Sequence, residues 1–119
     1  MSNRFQAGDF LIFQVESGFG LLRVLAVDTD DAGNSVWHLA AYEDLFLDAD
    51  MAEGAVENNS LSINIPHVAL TNRAFEATQV AKLSHRELTG EELAAYDKWV
   101  DDPDHSISDT SIRLLLGLR

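Results

Sequence analysis

Apolar positions run almost unbroken through residues 10–15 and 19–27, in segments rich in the aromatic and β-branched side chains that suit a pleated surface. Glu16-Ser17-Gly18 breaks the run with a short polar turn ending in a glycine, so the block reads as a β-hairpin buried on most of both faces. Arg23 is the one charge in the second strand, and its guanidinium needs an acid partner or an exit to water. Residues 28–34 are turn-forming throughout. They are no calcium loop, since the fifth and twelfth positions counted from Asp28 are Ala32 and Leu39. Strict alternation returns over residues 36–42, with Trp37, Leu39 and Ala41 on one face and Val36, His38, Ala40 and Tyr42 on the other. Residues 43–47 continue this strand or begin a short helix. Residues 48–60 are acidic and small and read as the longest irregular connection. Leu61, Ile63 and Ile65 predict a half-buried strand that Pro66 ends or bends, with the chain resuming at 67–70.

The period lengthens in the last third. Residues 74–83 suit either period, with 79–83 read as extended. Leu88-Thr89-Gly90-Glu91-Glu92-Leu93 combines a capping box between Thr89 and Glu92 with a hydrophobic staple between Leu88 and Leu93. It opens a helix over residues 90–101 that stops before Pro103 and places Leu93, Tyr96 and Val100 on one face, with Trp99 at the margin. After a polar linker the apolar tail, residues 110–119, reads as a short helix capped by Ser108 or Asp109 and stopped by Gly117, with a strand as the other reading. Such a tail docks on the core or on a second copy of the chain, as a homodimer would arrange. These elements predict a single α+β domain over residues 1–119: a curved antiparallel sheet of about five strands covered by one main helix, with a short C-terminal helix. An SH3-like N-terminal half is one form of it.

Length and charge narrow the function classes. The 119 residues suffice for one core, and no cysteine is present to form disulfides or thiolate metal sites. The start of the chain lacks a secretory pattern and no apolar run approaches a membrane span, so the expected location is the cytoplasm. The formal net charge of −12, with only eight basic residues, disfavours nucleic acid and anionic membranes and suits a basic protein partner. No cofactor fingerprint is present.

The candidate chemistry is sparse. None of His38, His67, His85 and His105 has the spacing of a helical zinc motif. The best metal or acid–base site they allow pairs His67 with His85 and a carboxylate from the 48–57 stretch, which would make a small metal-dependent enzyme. The competing reading is a non-catalytic binding module whose contact residues are Trp37, Tyr42, Asp48, Asp50 and Glu53: two aromatic anchors beside an acidic loop. Packing under the main helix is the competing reading for Trp37.

Gly8-Asp9-Phe10-Leu11-Ile12-Phe13, followed by Gly18-Phe19-Gly20-Leu21-Leu22-Arg23-Val24-Leu25, resembles the opening of a family of small bacterial immunity proteins. That family begins with a Gly-Asp strand, then a glycine–aromatic–glycine turn and an Arg-Val strand. The resemblance covers about the first quarter of the chain. It implies a non-enzymatic protein that binds and neutralises a toxin.

Overall fold

The computed structural model describes residues 5–118. The expected hairpin forms from β1 (Asp9–Val15) and β2 (Gly18–Thr29), joined through Glu16 and Ser17 with Val15 opposite Gly18. Strand β2 runs two residues further than its apolar pattern, through Asp28 and Thr29, before the turn to β3 (Ser35–Tyr42). Residues 48–60 are not an irregular loop. They contain α1 (Ala49–Glu57), whose first turn is capped by the Asp48 side chain accepting from the Met51 amide, and which buries Ala52 and Val56. The acidic composition hid a two-residue apolar seam, enough for a helix once a sheet lies beneath it.

Strand β4 (Ile63–Thr71) passes straight through Pro66, because β4 is an edge strand where a missing donor costs no ladder bond. Two register shifts in its pairing with β3 separate the apolar residues that alternation had put together. Ile65 joins the larger core, while Leu61, just before the strand, joins the smaller one. Then come α2 (Asn72–Glu76), β5 (Val80–His85), α3 (Gly90–Asp101) and α4 (Ile112–Leu115). Helix α3 has the predicted bounds and both halves of its capping box. The tail helix is capped by Ser111 rather than Ser108 or Asp109, and Gly117 ends it with a φ of 78°.

The strand order is β4-β3-β2-β1-β5, antiparallel throughout. The sheet is open, with β4 and β5 as its edges, so the N-terminal half does not close into an SH3-like barrel. One face carries Leu11, Phe13, Leu22, Val24, Trp37 and Leu39 beneath Phe75 of α2 and Ile112 of α4. The tail therefore docks through Ile112 on its own chain's core, leaving Leu114 65% exposed. The other face carries Phe10, Leu21 and Tyr42 beneath Val56 of α1. Farther along that face α3 lies over β2, β3 and β4. No helix among the described residues is long and apolar enough to cross a membrane.

Candidate functional site

The corner between β3 and α1 is built by a short antiparallel bridge. The Phe46 amide donates to the Phe19 carbonyl (2.9 Å) and the Phe19 amide to the Phe46 carbonyl (2.7 Å). The chain can lie this close because position 18 is glycine: a Cβ there would stand 2.2 Å from the Phe46 carbonyl oxygen. Phe46 packs half-buried against the smaller core, and its neighbours on either side face water. Leu45 is 58% exposed and Leu47 74%; Met51, on the outer side of α1, is 52% exposed. Three large apolar groups thus stand in water within seven residues of chain.

Acids surround them. Asp44 accepts from the Ser62 amide at 2.6 Å and Asp48 caps α1, so both have structural duties. Asp50 lies in the first turn of α1, where the helix dipole favours it, and Glu53 one turn on; both are exposed. From Val24 to Asn72 the chain has nine acidic residues (Asp28, Asp30, Asp31, Glu43, Asp44, Asp48, Asp50, Glu53, Glu57) and no lysine or arginine. That one-signed run, together with the impossibility of burying Leu45, Phe46 and Leu47 all at once, was the legible signal for this corner.

Of the five expected contact residues, Asp48, Asp50 and Glu53 are exposed here. The two aromatics are not. Trp37 is 4% exposed, stacks on Phe75 at 3.9 Å and donates its indole N–H to Asn72. Tyr42 is 7% exposed and stacks on Phe10, and burial pushes its phenol up to about 12. Neither can anchor a partner, because both sit on interior strand β3 with a layer above them; for Trp37 that layer is Phe75 of α2, on the face opposite α3, and not the main helix.

The histidines pair differently from the sequence expectation. His67 and His85 lie on opposite edge strands, β4 and β5, and do not meet. His85 instead contacts buried Asp9 at 2.7 Å, with Lys82 3.4 Å from the same carboxylate. Burial raises the Asp9 pKa, but the Gln6 amide, His85 and Lys82 outweigh it and hold the group ionised below its usual range. Among the described residues no three His, Asp or Glu side chains converge as a metal ion requires. His67 meets His38, which alternation had placed on one face of β3 with Val36, Ala40 and Tyr42: its Nε2 is 3.0 Å from His38 Nδ1. His38 Nε2 in turn lies 2.9 Å from Asp28 Oδ2, an ion-pair distance but off the axis of a linear hydrogen bond. Tyr96 of α3 donates its hydroxyl to the same Asp28 oxygen at 3.1 Å. Burial lowers both histidines, outweighing Asp28 at His38; at His67, burial and the neighbouring ring bring the value to about 4.

Arg23 finds the acid partner it needs in α3. It is fully buried, donates to the Gly8 carbonyl at 2.7 Å, pairs with Glu92 at 3.1 Å and lies over the Phe10 ring at 4.0 Å. Beside it a cavity of about 200 Å³ is lined by Leu25, Ala40, Tyr42, Ile63 and Ala95. Comparison with protein-family models, with known proteins and with solved structures finds no match to this chain.

Proposed function

We propose that this protein is a non-catalytic binding module that docks a basic, amphipathic segment of a protein partner on the β3–α1 corner. The observation that carries the reading is the trio Leu45, Leu47 and Met51, exposed within a stretch devoid of positive charge. Apolar side chains held out by the backbone itself are costly unless a partner covers them, and the surrounding carboxylates select the sign of that partner. Asp50 and Glu53, which form no ion pair within the described part of the chain, are the charges available to it. Toxin neutralisation, implied by the N-terminal resemblance, is one role such a module would serve.

The test is a titration of the ¹⁵N-labelled protein with a lysine–leucine amphipathic helical peptide. Chemical-shift changes should concentrate in residues 43–57. The double substitution Leu47→Ser with Met51→Ser should weaken binding by about tenfold, since two buried anchors contribute roughly 1 kcal/mol or more. Shifts elsewhere, or equal binding of a scrambled peptide of the same charge, would sink the reading.

A further inference from the structure

We infer that the C-terminal half of α3 is an acid-released latch, closed by Tyr96 and Trp99 over a His38–His67 pair of the sheet whose hydrogen bond cannot persist once both rings are protonated. Proton counting fixes where the hydrogens lie. Asp28 is an acceptor, so the His38 nitrogen facing it carries a hydrogen. In a neutral ring Nδ1 is then the acceptor, and His67 Nε2 must be the donor across the 3.0 Å contact. One added proton fits: His38 becomes the donor on both sides, His67 switches tautomer, and Asp28 balances the charge. A second proton sets two N–H groups head to head at 3.0 Å, with one carboxylate facing two cations.

The groups that face the pair come from every neighbouring element. Asp28 belongs to β2. Tyr96 and, farther out, Asp97 belong to α3, and His105 follows it, stacked on Trp99 at 3.8 Å. A positive charge on His105 opposes one on His38, so the two repel. Arg23, the cation on this face of β2, is committed to Glu92.

Helix α3 is suited to local release because none of its residues is fully buried. Its C-terminal half rests on the edges of Tyr96 and Trp99, each 4.7 Å from the His38 ring. Its N-terminal half is pinned by the capping box and by Arg23–Glu92. Burial raises Glu92, but the Thr89 amide and Arg23 prevail and lower it from its usual value, so this pin stays charged across the ordinary histidine range. The helix therefore swings from its N-terminus and bares His38 and His67.

The two indole N–H groups report the event separately: Trp99 donates to the Ser106 carbonyl beside the latch, and Trp37 to Asn72 in the other core. An ¹H–¹⁵N titration of the full chain from pH 7.5 to about 4.5, across the ordinary histidine range, should move the Trp99 signal and raise its intrinsic-rate-corrected exchange about tenfold or more, leaving Trp37 unchanged. His67→Gln should abolish the transition and His105→Gln should retain it. The inference is overturned if neither indole moves, if both move together as in global unfolding, if His67→Gln retains the transition, or if His105→Gln alone removes it. The wild-type titration decides by itself should a variant fail to fold.

Discussion

Arg23 and Gly8 show how much of the N-terminal motif is architecture. Gly8 has a φ of 98°, and a Cβ there would stand 2.7 Å from the His85 ring and 2.8 Å from the Arg86 carbonyl oxygen. Its own carbonyl accepts from both Arg23 and the Arg86 amide. Asp9, the next residue, is buried and gathers β5 through His85 and Lys82. Each of these residues has a folding task that a sheet of any function would set. Gly8→Ala combines left-handed backbone with a steric clash, and chemical denaturation should show a loss of about 2–4 kcal/mol. Arg23→Met removes one of the two donors to the Gly8 carbonyl and leaves the Glu92 carboxylate without its cation. Because Glu92 is 29% exposed and can turn to water, the expected loss is about 3 kcal/mol, at the lower end for a broken buried pair.

Among the elements, α3 and α1 are contrasting cases. The α3 boundaries were readable because capping is local: Thr89, Glu92 and the staple leucines lie within six residues. Which face turns inward was not. The periodicity favoured Leu93, Tyr96 and Val100, whereas Val100 is 48% exposed and Glu92, Tyr96 and Trp99 meet the sheet. The inward face follows the chemistry beneath it: a buried guanidinium draws Glu92, and Asp28 with His38 draws Tyr96 and Trp99. Thr89→Ala should weaken the cap by about 1 kcal/mol. Since α3 buries no residue fully, the effect should appear as roughly fivefold faster amide exchange within α3, with the global denaturation midpoint little changed. A matching drop in global stability would show that α3 folds as one unit with the sheet.

For the whole molecule, pH and salt act through the same charge excess. His38 and His67 both have folded pKa values below the ordinary histidine value, so the unfolded chain binds more protons than the folded one once pH falls below about 6.5. Their contribution is complete above that pH and is lost as pH falls towards about 4. For half-buried His67, with the discount that solvent screening imposes, the loss should be about 1 kcal/mol, measurable by urea denaturation at pH 7.5 and 5. Asp9 and Glu92 act oppositely: their folded values lie below the ordinary ones, so their stabilisation is present above the unfolded carboxylate range and disappears only in stronger acid. With a net charge of −12, added salt should raise the melting temperature by screening self-repulsion. A fall with salt would mean that the few ion pairs, not the repulsion, dominate.

The sequence by itself determined what depends on neighbours in the chain: the hairpin about Glu16 and Ser17, the faces of β3, the capped α3, the turn at Gly33 and the stop at Gly117. Each follows from backbone preference or a side chain within a few residues. Tertiary structure alone decided where the layers fall. It buried Trp37 and Tyr42 by placing β3 in the sheet interior, and it made a helix of residues 49–57 by supplying a surface for Ala52 and Val56. It also sent His67 to His38 and His85 to Asp9, because β4 and β5 are opposite edges. Those outcomes depend on strand order and on what packs above each face, and a linear alternation of apolar and polar residues records neither.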